Sequence, residues 1–303
     1  MDKYKIGKYF RTIKNLKLIQ IYYRLFYLFR NKVYKKKYSF KDVKSNSKVV
    51  WKNTIHLNQS FYGNNTFEFL NKKKKFNKID WNFSENGKLW NYNLVYFDFL
   101  NQEKIDFDDS LNLIHNFILN DDRHISGNEP YTISLRNINW IKFASYNNIK
   151  NNKIDDYLFN SYKKLLDNLE FHLLGNHLME NAFSLLFGAY YFENIDFYKK
   201  SEQILMKEMD NQILNDGGHF ELSPMYHSII LHRILDCLYL IENNNPISSS
   251  NILYKKLRKK AILMLSWLES MSYKNGELPN FNDSTDGIAL YPQELFYYAS
   301  SIG

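Results

Sequence analysis

The chain has 303 residues, enough for one large domain or two ordinary ones, and an apolar content of 45 % allows a sizeable core and excludes global disorder. Tyrosine (24) and phenylalanine (23) abound while glycine (11) and proline (5) are scarce, which favours helices over a turn-rich β-sandwich. The formal charge of +8 invites a nucleic-acid reading, but no zinc-finger, RRM or basic-zipper pattern is present and a basic surface serves an anionic polysaccharide equally well, so no nucleic-acid partner is expected.

The first predicted element is KYFRTIKNLKLIQIYYRLFYLFRNK (8–32), a basic, aromatic helix. Lys17, Gln20 and Arg24 interrupt its apolar run, so it is too short and too charged to span a bilayer, and no transmembrane segment is expected. It lacks the clean apolar stretch and small-residue cleavage site of a signal peptide, which leaves the cytoplasm as the default location. Docking on the main domain and adhesion to a membrane surface would each use such a helix. Residues 38–88 are mixed and polar. Val49–Trp51 reads as a short strand, and the runs Lys35–Lys37 and Lys72–Lys75 read as solvated loops.

From Leu89 the pattern changes to amphipathic segments, predicted as helices at 91–100, 107–119, 130–148, 154–173, 177–193, 196–214, 223–242 and 252–272, with a short helix at the end. Similar lengths and short connections mean antiparallel helical hairpins, and such hairpins stacked in a ring form an α/α toroid whose concave face can hold a chain-like ligand. The fold class is therefore mainly α. The division is residues 1–80, a basic helix and irregular lead-in packing on the rest, and residues 81–303, the toroid. The single cysteine, Cys237, excludes an intrachain disulfide and a cysteine zinc cluster, and its apolar neighbours LHRILDCLYLI make it a core thiol.

Chemistry concentrates in Asn215–Arg233, NDGGHFELSPMYHSIILHR. Gly217–Gly218 permit backbone conformations closed to other residues. Ser223–Pro224 reads as a helix start with a hydroxyl cap, placing Tyr226 in the first turn, where free N–H groups and the dipole stabilise negative charge. Tyr226 is thus a candidate proton-transfer group, against the plain alternative that it only packs. His219 and Glu221 precede the helix and can line its mouth, with His227 just inside it, while His232 lies deeper and reads as structural. In GNHLMEN (175–181), Asn176 reads as the helix cap, and His177 and Glu180 lie three apart on one face, where a carboxylate fixes an imidazole's tautomer. Asn176 as a simple cap and an exposed polar pair remain the alternative. In NEPYTISLRNINW (128–140), Arg136 sits among apolar residues and needs a carboxylate from the protein or a ligand. FNDSTDG (281–287), with Asp283 and Asp286, reads as a turn that a toroid rim can use for substrate. His227 and His232 are five apart, off one helical face, so no metal site is expected, and no GxSxG, GxxxxGK[ST] or GxGxxG motif calls for a cofactor.

The segments LWNYNLVYFDFL, NEPYTISLRNINWIKF, GNHLMENAFSLLFGAYYF, DGGHFELSPMYHSIIL and FNDSTDG, in this order over residues 81–303, resemble the heparinase II/III family of polysaccharide lyases, related to oligoalginate lyases. Members usually carry Trp where Asn128 stands and Pro where Thr132 stands, departures that touch a helix start rather than the chemistry. The resemblance implies an incomplete α/α toroid and β-elimination on an acidic, uronic-acid-containing polysaccharide. It matches Asn176 and His177 to the carboxylate neutraliser and the base, Tyr226 to the tyrosine that protonates the leaving oxygen, and Glu180 to the glutamate one turn past the histidine. Arg136, His219, Glu221, His227 and Glu180 are the expected substrate-binding residues. The family continues into a C-terminal β-sandwich that contributes another histidine and any structural metal. Here it is expected to be absent or supplied by a separate chain, leaving a weakly active lyase or a glycan-binding module.

Overall fold

Helix caps and breakers punctuate the chain into the elements seen in the computed structural model, which describes residues 16–34, 36–45, 49–52, 54–245, 247 and 251–303. Helix α1 spans Leu18–Val33. The predicted N-terminal helix before Leu16 lies outside the described residues. A hairpin follows, β1 (Thr66–Phe69) antiparallel to β2 (Lys72–Lys75) with Thr66 opposite Lys75. Its two-residue turn, Leu70–Asn71, has φ of 53° and 59°, the left-handed pair that matches strand twist. The helices then run α2 (Lys88–Tyr96), α3 (Phe107–Leu119), α4 (Pro130–Tyr146), α5 (Asn152–Asp167), α6 (Gly175–Phe192), α7 (Ile195–Gln212), α8 (Pro224–Glu242), α9 (Ile252–Met271) and α10 (Pro292–Ile302).

Local chemistry explains most of these starts. Asp106, Asn151, Asn194 and Ser223 cap α3, α5, α7 and α8 by accepting first-turn N–H groups, and Pro130, Pro224 and Pro292 occupy first-turn positions that need no donor. The helices α4–α5, α6–α7 and α8–α9 form hairpins in two layers. α2, α4, α6, α8 and α10 lie side by side in the inner layer, while α3 contacts α5 and α7 contacts α9 outside. The fold is mainly helical, with consecutive helices paired as in an incomplete α/α toroid. Inner helices lose the expected amphipathic stripe: α4 is buried without a break from Thr132 to Ala144, and α6 from Leu178 to Tyr191. Neighbours on both sides and an outer helix behind leave them no solvent face. One core runs from Val49 to Tyr298.

Two expectations in the lead-in are corrected. Val49–Trp51 is not a strand. It is held by side chains, Trp51 packing 5.0 Å from Tyr239 and 5.4 Å from Phe187. Lys72–Lys75 is not a loop but the second strand, because Phe67 and Phe69 alternate into the core and fix the register of their partner. Its lysines then serve as the charged edge that discourages further pairing.

Gly217 is the point where the sequence permits a close approach. Its φ is +92°, and a Cβ there would lie 2.1 Å from the Leu263 carbonyl oxygen of α9. The turn carrying residues 213–219 can press against α9 only with no side chain at this position.

Candidate active site

The site forms where the loops leading into α6 and α8 meet. Both approaches contain a non-glycine residue in the left-handed region, Leu174 (φ 62°) before α6 and Leu222 (φ 53°) before α8. Leucine bears a steric cost there, so the surrounding structure must hold both turns, and such strain gathers at functional sites. Asn176 is not a cap. The helix already begins at Gly175, and Asn176 lies half-buried in the first turn beside His177, because the backbone turns one residue earlier at Leu174.

The His177 side chain is 40 % exposed, and its carboxylate partner is Glu170, not Glu180: Nδ1 lies 3.1 Å from Glu170 Oε1. A carboxylate only accepts, so Nδ1 carries the proton and Nε2 remains the basic nitrogen. Glu170 is itself held. Asn181 donates to its Oε2 (2.9 Å), accepts from its backbone N–H (2.8 Å), and donates also to Ser134 Oγ (3.1 Å). Sequence spacing gave no hint of this pair, because Glu170 reaches His177 across a loop rather than along a helix. Glu180 faces α8 instead and accepts from Arg233 Nε at 2.7 Å.

Tyr131, missed in the sequence, packs its ring 4.6 Å from that of His177. It follows Pro130 at a helix start, as Tyr226 closely follows Pro224, and this shared placement was the available signal. Behind it Tyr96 (6.0 Å) and then Tyr92 (6.1 Å) continue a row of rings across α2 and α4.

Tyr226 stands in the first turn of α8, as expected, with Ser223 Oγ accepting its backbone N–H at 3.2 Å. Its phenol, however, is pushed up rather than down. Burial is the main cause, and the charges of Asp283 and Glu221 add to it. The helix end offers little to offset this, because Ser223 and Ser284 hydroxyls already take the N–H groups of Tyr226 and Met225. Tyr226 is therefore a neutral phenol with a proton to give. The FNDSTDG turn packs on this helix start: Ser223 Oγ donates to the Asp283 carbonyl (2.8 Å) and Asn282 Nδ2 to that of Leu222 (2.6 Å). Glu221 is raised by burial, with His177 drawing it back and Asp283 pushing it further, so it stands within electrostatic reach of both. The structure thus brings together Asn176, His177, Glu221 and Tyr226, with Glu170, Tyr131 and Asp283.

Three other expected substrate-binding residues are sealed in. Arg136 is 0 % exposed and, among the described residues, meets no carboxylate. Nη1 donates to the Gly127 carbonyl (2.6 Å) and the guanidinium lies 4.7 Å from the Phe117 ring centroid, so aromatic faces and a backbone oxygen replace the expected ion pair. His219 sits behind α6 and meets Gln212 Oε1 at 3.3 Å, while Gln212 Nε2 donates to the Gly175 carbonyl (2.9 Å). Its role is to buttress the start of α6. His227 donates from Nε2 to the Met264 carbonyl (3.0 Å) and stacks on Trp267. It faces α9, one residue around the helix from Tyr226.

Burial holds His219 at about 4 and His227 at about 3, against an ordinary value near 6.5. The unfolded chain therefore binds protons that the folded chain refuses. Stability is complete above the ordinary histidine range and falls as pH drops from there towards the folded values, by about 1.4 kcal/mol per pH unit for each such histidine. Urea unfolding of His227→Gln beside the parent should show the slope between about pH 6 and 4 reduced by about one proton. Equal slopes would mean that His227 is protonated when folded.

No curated protein matches the sequence. Among solved structures the chain is similar to heparinase III, with a TM-score of 0.55 at 16 % identity over 93 % of this chain and 50 % of that one. It is also similar to a heparan sulfate lyase from Pedobacter heparinus, with a TM-score of 0.46 at 17 % identity over 74 % of this chain and 39 % of that one. The chain thus spans half or less of the length of these structures, and the likeness to heparinase III concerns the fold. Residues 131–297, more than half of the sequence and including both site helices, match the family described as the heparinase II/III N-terminus. With its paired helices and that match, the chain belongs to the heparinase II/III family.

Proposed function

We propose that the chain is the helical domain of a polysaccharide lyase that cleaves an acidic, uronic-acid-containing chain by β-elimination. The observation that carries this is that Glu221, whose carboxylate lies against the start of α6, is within electrostatic reach of both a neutral phenol, Tyr226, and an imidazole held in one tautomer, His177, at two strained helix starts. Asn176 hydrogen-bonds the uronate carboxylate, which stabilises the enolate-like intermediate more than the ground state. His177 Nε2 takes the proton at C5 and the C5 electrons form the C4–C5 double bond. The C4–O bond breaks, and Tyr226 gives its proton to the leaving oxygen. Glu221 and the tyrosine row border the path of the sugar chain.

Incubation with polyuronates should yield the ultraviolet-absorbing unsaturated sugar. Saturable binding without that product would favour the second reading, a glycan-binding module, and hydrolysis without the chromophore would exclude a lyase. The role of Glu170 gives a separate test. Glu170→Gln should lower kcat by about ten- to a hundredfold with little change in KM, because an amide can offer Nδ1 a donor and so release the tautomer. Ring 15N shifts of His177 should then move from the Nδ1–H pattern towards a mixture. An unchanged pattern would show that Glu170 does not set the tautomer.

A further inference from the structure

Among the described residues, helix α1 is attached by one face only. Gln20 Nε2 donates to the Leu173 carbonyl (3.0 Å), Tyr27 Oη to that of Leu169 (2.6 Å), and Arg30 to the Asp167 carbonyl and to Asn168 Oδ1, while Tyr23 stacks on Phe171 at 4.7 Å. These contacts grip the connection between α5 and α6, the segment that also carries Glu170. The opposite face holds Leu18, Tyr22, Leu25, Phe29 and Val33, spaced four, three, four and four, so that they form one stripe along the helix. They are 85, 61, 63, 72 and 69 % exposed, and no residue of the helix is buried. A continuous apolar stripe of this kind marks a surface that is covered in use.

Charge says what covers it. The first 37 residues hold twelve Lys or Arg and a single acidic residue, Asp2, whereas the whole chain is only +8. The cationic excess is therefore confined to this end, and the remaining residues are net acidic. Leu18–Val33 contains no acidic residue, and Lys17, Arg24 and Lys32 stand exposed around the stripe. Among the described residues no helix is long and apolar enough to cross a membrane. An apolar stripe with aromatic residues, flanked by cations and lacking acids, fits the plane of an anionic lipid surface, where the stripe enters the acyl boundary and the cations meet headgroup phosphates. A polyanionic glycan would satisfy the cations but leave Leu25, Phe29 and Val33 in water. We infer that α1 seats this protein on an anionic membrane surface, independently of what the site between α6 and α8 does.

The full chain should co-sediment with phosphatidylglycerol–phosphatidylcholine vesicles and much less with phosphatidylcholine alone. Leu25→Glu combined with Phe29→Glu changes only exposed side chains, so helix content and Tm should stay as in the parent while partitioning falls about tenfold or more. Failure of the parent to bind the anionic vesicles overturns the inference. So does equal binding of the variant, which would make the attraction purely ionic. Sedimentation equilibrium covers a further outcome: a dimer lost in the variant, without vesicle binding, would show that a second copy covers the stripe. Binding of polygalacturonate by parent and variant alike, with no vesicle binding, would assign this end to a glycan and overturn it as well.

Discussion

Tyr226→Phe should abolish the unsaturated product while leaving the fold intact, with a fall in kcat of about 10²–10⁴-fold. Only the hydroxyl is lost, and the half-buried ring keeps its packing, so circular dichroism and the unfolding midpoint should match the parent. The size follows from the site. Burial and the neighbouring Asp283 and Glu221 keep the phenol protonated, and in the proposed elimination this is the proton the leaving oxygen takes. His177→Ala should fall as far, because the base and its Glu170-held tautomer vanish together. The two losses should not add, since both residues act in one step. Full rates in both variants would show that elimination does not use this pair, and would return Tyr226 to the role of a packing residue.

Arg233→Met should be the most destabilising of the conservative substitutions discussed, by about 3–5 kcal/mol in urea unfolding. Arg233 bridges two buried carboxylates, Glu180 at 2.7 Å and Asp236 at 3.1 Å, and Asp236 also accepts from Lys142 (2.5 Å) and Tyr298 (3.0 Å). Burial pushes Asp236 up, but Lys142, His232 and Arg233 overturn this and hold its carboxyl well below the usual range. Burial raises Glu180, and Arg233 only partly offsets it. Without the guanidinium, Glu180 is a buried charge with no counter-ion. The network joins α4, α6, α8 and α10, so the loss is felt across the inner layer. Adding Glu180→Leu to Arg233→Met removes the stranded charge and should restore a large part of the stability. No recovery would mean that packing by the arginine stem, not charge, dominates.

The helices were legible in the sequence because their signals are local. Ser223–Pro224 announces a helix start through its own hydroxyl and ring, and this start stands where expected. Asn176 misled for the same reason: it is a good capping residue, but the strained turn at Leu174 begins the helix before it. The Lys72–Lys75 run misled because its composition is that of a loop, while its register is set by Phe67 and Phe69 on the other strand.

By itself the sequence determined the helical class, the order of the hairpins and the two segments that carry Asn176–His177 and Tyr226, since periodicity and caps act within a few residues. Only the tertiary structure decided who partners whom. Glu170 rather than Glu180 holds His177, Arg233 rather than His177 takes Glu180, and Arg136 rests on aromatic faces and a backbone carbonyl. Helical spacing brings residues three or four apart near one another but does not orient their side chains towards each other. Buried charges settle with whichever opposite charge the packing of neighbouring helices brings nearest, and burial and local charge then set whether a phenol such as Tyr226 keeps its proton.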